Sequence, residues 1–390
     1  MRIAFVSLMG GSQWGGSEAL WHAIAMHSLK QKDQVFVSVY DWGEPHEKIK
    51  MLKTKGAVIH FRRRYNSEAG PVEKIIRFME NRKSSLNKDY ESIINFKPDA
   101  VFISQGESFD LAIHHKVLYN LLRQNKIPYS FVCHSHAQYS FIPPKEIYPG
   151  AVEIFKNAEQ VFFVSQRQWK LTERRLVSKI TNGYFTWNPL NMEMPSQPLQ
   201  WPDIDSVKMA LVGNVSDMKG HDTAFEALAK DKWRRVKWLL NIYGTGVGID
   251  YLKELAAFYS ITNKIKFHGH INDIQSIWMQ NQLLLIPSAG EGLPISLVEA
   301  MACGRPAVVT DVGGNTELVI EGETGYIAAS PAVDSFESTL EKAWQGRGNW
   351  KQMGIQAFRK VNSVFEQFPH IKLYKILKQQ VSANNSIKPG

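Results

Sequence analysis

Glu291 and Glu299 stand eight positions apart in the run from Pro287 to Pro306. Paired carboxylates can act as acid and nucleophile, or each can accept hydrogen bonds from the hydroxyls of a polyol. Leu283 to Pro287 is a short apolar run of buried-strand type, Ile295 to Ala302 has helical periodicity, and Gly304 ends the helix before a strand over 306–310. Glu291 is thereby expected in the loop at a helix N-terminus and Glu299 inside the helix, on the order of 10 Å away at about 1.5 Å per residue. Between them lie Gly292 and the first-turn N–H groups near Leu293, Ile295 and Ser296, which suit an anion with the helix dipole behind it. A diphosphate held there leaves one glutamate for hydroxyls at each end, which is the shape of a nucleotide sugar.

A glutamate at a helix start commonly just complements the dipole, and one in mid-helix usually faces solvent. The neighbours of Glu299 argue otherwise. Leu297, Val298, Ala300, Met301, Ala302 and Cys303 enclose it, and a buried carboxylate requires a partner.

Glu291 and Glu299, followed by Ala300 to Pro306, Asp311 to Val319 and Glu321 to Ala328, resemble the donor-binding half of the retaining glycosyltransferases of family 4. The similarity is strong over roughly residues 207–330 and weak before them. It implies the GT-B architecture, in which two doubly wound, Rossmann-like α/β domains face each other across a cleft and a C-terminal helix crosses back to the first domain. It also implies site residues. Lys219, in Lys219-Gly220, is expected on the donor diphosphate, while Asn214 occupies a position where similar proteins carry arginine, and it cannot neutralise charge. Gly246 and His270, in the loops after two neighbouring strands, are expected near the nucleobase and ribose, although His268 and His270 also read as plain strand-end residues. Gly15 and Gly16 resemble the glycine pair that faces the donor across the cleft. His134, at a strand end, is the candidate for sugar contact and transition-state stabilisation, with His136 as the fallback. The stretch Gln105 to Asp110 is a positional guess for the acceptor side.

These residues need a scaffold. A chain of 390 residues exceeds what one core usually organises, so two domains are expected. Apolar strand-like runs alternate with helical stretches, as in parallel sheets wound with helices. The strands are expected at 2–8, 34–40, 57–61, 99–104, 129–134, 160–164 and 178–182, and then at 207–213, 236–242, 264–268, 282–286, 306–310 and 325–328. The proline-rich stretch 187–206 reads as a linker between an acceptor-binding domain over 1–186 and a donor-binding domain over 207–364, with 365–380 as the crossing-back helix. Hydrophobic content of 44% with 21% charged residues is ordinary for a globular protein, and no apolar run reaches the length of a membrane span. The first residues lead directly into a glycine loop rather than a signal-peptide core, so a cytoplasmic protein is expected. Cys133 and Cys303 are expected as reduced, packed thiols.

The chemistry expected is transfer of a hexosyl group from a UDP- or GDP-linked sugar to an acceptor hydroxyl with retained configuration, in polysaccharide or glycolipid synthesis. Glu291 orients the sugar and Glu299 accepts from the ribose hydroxyls. Lys219, the amides near Ser296 and the Gly15-Gly16 loop stabilise the leaving diphosphate. No cofactor or metal is needed, and Asp203 and Asp205 read as solvated linker residues. Residues 1–200 hold 26 Lys+Arg against 18 Asp+Glu, a net +8, while 201–390 hold 20 against 19, a net +1. The basic stretch 62–88 of the first half is either a solvated face or a docking surface for an anionic membrane carrying a saccharide or lipid-linked acceptor, which would make the protein peripheral. No nucleic-acid-binding motif is present. Two alternatives stand beside the transferase. One is a sugar-nucleotide epimerase of the same fold; the other is a nicotinamide enzyme, for which Asp41 would close the second strand as the ribose acid.

Overall fold

The computed structural model describes residues 1–63, 85–135, 147–202 and 206–387. His136, Arg64 to Ser84, Asp203 and Asp205 therefore lie outside the described residues. Strands β1 (Arg2–Ser7), β2 (Gln34–Tyr40), β3 (Val58–Arg62), β4 (Ala100–Glu107), β5 (Tyr129–Ser135), β6 (Gln160–Phe163) and β7 (Gly183–Phe185) form one sheet in the order 3-2-1-4-5-6-7. Strands β8 (Val207–Val212), β9 (Trp238–Tyr243), β10 (Ile265–Gly269), β11 (Leu283–Ile286), β12 (Ala307–Thr310) and β13 (Gly325–Ala328) form a second in the order 10-9-8-11-12-13. Every pairing is parallel. Parallel sheets are covered on both faces, which is why their strands read as continuous apolar runs. On β1, Ile3 and Phe5 enter one core and Ala4 and Val6 the other. On β8 and β11, Met209, Leu211, Leu283 and Leu285 face one side while Ala210, Leu284 and Ile286 face the opposite side.

One strand sits elsewhere than expected. The seventh is Gly183–Phe185 rather than 178–182. Ile180 is instead a core plug in a turn, tied by its N–H to Glu173, and Asn182 donates to the carbonyls of Phe155 and Ala158. The strand begins at Gly183, where a Cβ would lie 2.1 Å from the Trp169 ring. A second correction concerns the basic stretch. Arg62 is not on a charged surface: it is 2% exposed at the end of β3, donates to the Tyr90 hydroxyl and the Ser7 carbonyl, and lies over the Tyr40 ring.

The linker is fastened to the second domain by two buried ionisable side chains. Glu299 Oε1 accepts from the backbone and side-chain nitrogens of Asn191 at 3.0 and 3.1 Å. Arg305, with no exposed surface, donates to the carbonyls of Leu199 and Gln200 as well as to those of Trp278 and Asn281. Met192, Met194 and Leu199 pack against the same core as Trp187. The C-terminal helix Pro369–Ile387 crosses back, placing Leu373, Tyr374 and Leu377 in the core of β1 and donating from Tyr374 to Asp33. Trp187, where the chain leaves the first domain, meets Phe365, just before it returns, with ring centroids 5.2 Å apart. Cys133 and Cys303 are buried free thiols, and no helix among the described residues is long and apolar enough to cross a membrane.

Candidate active site

Strand order reverses between β1 and β4 in the first sheet and between β8 and β11 in the second. Chain segments leave such a switch point in opposite directions and open a crevice at the carboxyl ends of the strands. In the second sheet this crevice is lined by Gly213, Lys219, His221, Ser288, Glu291 and Ser296.

Lys219 ends a single 3-10 turn, and Gly220 follows with φ +63, its Cβ position only 2.2 Å from the Pro287 carbonyl oxygen. Glycine alone lets the Lys219 turn approach the β11 loop so closely. Lys219 Nζ then lies 2.7 and 2.8 Å from the two carboxylate oxygens of Glu291, and Ser288 Oγ donates to Oε1 at 2.7 Å. The two residues expected to act on different parts of a donor are thus one ion pair, with Glu291 only 8% exposed. Above them the helix Ile295–Ala302 begins after Pro294, which supplies no side-chain cap. Its first intrahelical bonds are donated by Leu297 and Val298 to the Pro294 carbonyl, so the N–H groups of Ile295 and Ser296 have no helical acceptor.

The loops beside this crevice interlock through glycines. A Cβ on Gly246 would lie 2.1 Å from the Val215 carbonyl oxygen and 2.8 Å from Asn214 Oδ1. Asn214 itself is exposed. His268 stacks on Tyr243 and bonds Asn241, as a strand-end residue would, and exposed His270 bonds Asn272.

The first domain meets this site at two points. Gly16 opens the helix Gly16–Lys30 after Gly15, and its Cβ position lies 3.0 Å from Ile295 Cδ1, so the glycine loop packs against the start of the helix Ile295–Ala302. Gly292 is tighter still: a Cβ would fall 1.8 Å from the His134 carbonyl oxygen. His134 is the next-to-last residue of β5, 8% exposed; Ser104 Oγ is 3.2 Å from its Nε2, and Nδ1 has no partner among the described residues. Burial holds its pKa down at about 3, so the ring is neutral. Arg167 also pairs with Asp311, and its backbone N–H donates to Glu317, a further link between the two domains.

Glu299 lies deeper in the helix than crevice-lining Ser296. It is 2% exposed, its pKa is raised to about 7 by burial against the pull of the two Asn191 bonds, and one of its oxygens is committed to the linker. The stretch Gln105 to Asp110 also turns inward: Gln105 donates to Ser108 and Cys133, and Asp110 accepts the N–H groups of Gly106 and Glu107. Sequence reasoning passed over Ser288, three residues before Glu291, and His221, directly after Lys219-Gly220. Position beside the motifs was the one available signal for either.

Comparison with known proteins agrees with this geometry. The model of the family "Glycosyl transferases group 1" matches residues 203–360. An uncharacterized glycosyltransferase of Haemophilus influenzae is 24% identical over 262 residues, covering 66% of this chain and 72% of its own length. An alpha-1,3/1,6-mannosyltransferase of Dictyostelium discoideum is 33% identical over 135 residues, 33% of this chain and 32% of that one. Among solved structures, Anabaena HepE in complex with UDP-glucose superimposes with TM-score 0.67 at 15% identity, covering 99% of both chains. The matched residues contain the whole β8–β13 sheet and the crevice just described, while the superposition spans both sheets. Residues 203–360 thus resemble the group 1 glycosyltransferases, and the chain as a whole has the GT-B fold.

Proposed function

We propose that the protein transfers a hexosyl group from a nucleoside diphosphate sugar to an acceptor hydroxyl with retention of configuration. The observation that carries this is the Lys219–Glu291–Ser288 cluster at the β8/β11 switch point, under the unbonded first-turn N–H groups of Ile295 and Ser296. A donor diphosphate entering here exchanges places with Glu291 as the partner of Lys219. The freed carboxylate then accepts from the sugar hydroxyls, so donor binding and sugar orientation become one event. Lys219, the helix N–H groups and the Gly15-Gly16 loop stabilise charge developing on the leaving diphosphate. The proposed transfer uses no metal ion, and turnover should be indifferent to chelator.

Neutral His134 offers Nδ1 to the sugar, its Nε2 being held by Ser104. Glu299 is left Oε2 for the ribose hydroxyls, since Asn191 occupies Oε1. Its replacement by alanine is therefore assigned to donor affinity more than to turnover. Gly246 and His270 are kept as loop neighbours of the nucleobase. The net +8 of residues 1–200 favours an acidic saccharide or a lipid-linked acceptor at an anionic membrane surface, reached from the cytoplasm by a peripheral protein.

The likeness to HepE makes UDP and UDP-glucose the first ligands to test, followed by GDP and ADP sugars. Thermal unfolding should rise with one nucleotide class. Free nucleoside diphosphate should then accumulate when an acceptor is added. Failure of every nucleotide sugar to stabilise the protein would remove the central claim, and turnover of donor without acceptor or diphosphate release would favour an epimerase.

A further inference from the structure

One buried side chain in the crevice of the second sheet makes no hydrogen bond to Lys219, Glu291 or Ser288. His221 is 5% exposed, and neither Nδ1 nor Nε2 has a hydrogen-bond partner among the described residues. A buried imidazole with both nitrogens unpaired is uncommon and calls for an explanation. It lines the same cavity as Lys219, Ser288 and Glu291, and it opens the nine-residue helix His221–Ala229. Gly220 gives that helix no side-chain cap, and the first intrahelical bond is Ala224 N–H to the Gly220 carbonyl. The N–H groups of His221, Asp222 and Thr223 are thus free of helical acceptors. Two independent features meet here, an uncapped helix start and an unpartnered buried ring.

Charge balance gives them a purpose. The charged groups facing the cavity are Lys219, from the turn before His221, and Glu291, from the loop after β11, and they neutralise each other. Ser288 and Ser296 add no charge, and Asp222, next in the chain, is exposed. A nucleoside diphosphate brings negative charge on both phosphates into a cavity whose own net charge is close to zero. We infer that His221 is a further phosphate ligand of the donor site, taking up a proton as the diphosphate binds and supplying the positive charge that the Lys219–Glu291 pair does not. This rests on the nucleoside diphosphate reading of the site.

Burial, with Lys219 nearby, holds the ring at about 4, so it enters binding neutral. A phosphate oxygen beside it favours the charged form and raises that value. Binding is then coupled to proton uptake, and diphosphate affinity falls as pH rises through the bound-state value.

Calorimetric titration with UDP, in two buffers of different ionisation heat across the neutral pH range, tests this. The wild type should take up more protons per UDP than His221→Gln, in which only the ligand's own titration is left. Loss of a charged hydrogen bond should weaken UDP about tenfold in His221→Gln while uridine binding is unchanged. Arginine at exposed Asn214, next to cavity-lining Gly213, should restore UDP affinity in the double variant Asn214→Arg/His221→Gln. Should His221→Gln not fold, Asn214→Arg alone decides: it should tighten UDP and reduce proton uptake, and no change in either overturns the inference. Equal proton uptake and affinity in wild type and His221→Gln also overturn it and leave the donor site standing. Equal loss for uridine and UDP reduces His221 to packing. Absence of binding by UDP, GDP and ADP to the wild type overturns the donor reading and this one with it.

Discussion

Each domain buries one glutamate in the helix that follows a glycine loop, and burial raises both to about 7. Glu18, in the first domain, is satisfied within that domain by Ser7 Oγ at 2.9 Å and Trp21 Nε1 at 2.8 Å. Glu299, in the second, takes both of its bonds from Asn191 of the linker. The two doubly wound sheets share one plan, so the difference lies in what the carboxylates hold. One secures a helix to its own sheet and the other secures the segment that joins two domains. The switch points differ in the same way: the first presents backbone glycines and a neutral histidine, the second an ion pair. A fold repeated in one chain is given distinct tasks by a few loop residues.

The strongest test of this contrast is Glu291→Ala. If Glu291 takes the sugar hydroxyls as proposed, its removal should lower kcat by about 100- to 1000-fold. A drop of only a few fold would make the ion pair a structural clamp like Glu18. The buried glutamates themselves come next. A carboxyl raised from 4.5 to about 7 on folding contributes stability that is full below 4.5 and is lost as pH rises through 7. Glu299→Gln and Glu18→Gln should each remove that slope. Relative to either variant, the wild type should lose up to about 3 kcal/mol across this window in denaturant titrations. A flat difference would show that the carboxylates are charged and well paired throughout.

Gly292→Ala places a methyl group against the His134 carbonyl and should separate the facing domains locally, at about 1–3 kcal/mol. Turnover should fall with little change in binding of UDP alone; an unchanged kcat would mean that the contact can be relieved without consequence. The smallest effect belongs to Arg167→Ala. Arg167 and Asp311 are partly exposed, so their ion pair is worth about 1 kcal/mol at most, and the variant should alter the salt dependence of donor affinity more than stability.

Much of this was legible in the residues. Buried parallel strands write themselves as continuous apolar runs, and twelve of the thirteen strands overlap the stretches expected for them. The exception has three residues, too few for a period, and begins where a glycine must clear Trp169. The donor-side motifs were readable because their residues are contiguous: Glu291, Gly292 and the helix start fall within one short run. Contacts between distant segments were not. Nothing local in the chain shows that Lys219 reaches Glu291 across 72 positions, or that the enclosed Glu299 finds its partner in the linker. Burial of Arg62 was hidden for a related reason, since its aromatic neighbours come from β2 and from the helix after residue 84.

The Trp187–Phe365 contact has a mechanical consequence. The backbone crosses between the domains twice, and these rings place both crossings side by side. Because Glu299 and Arg305 anchor the linker to the second domain, the outgoing crossing contracts to the few residues around Thr186 and Trp187. Two adjacent tethers act as a pivot. Rotation about them would stretch neither, and the faces that carry Gly16 and Ile295, or His134 and Gly292, would part as a jaw opens from its joint.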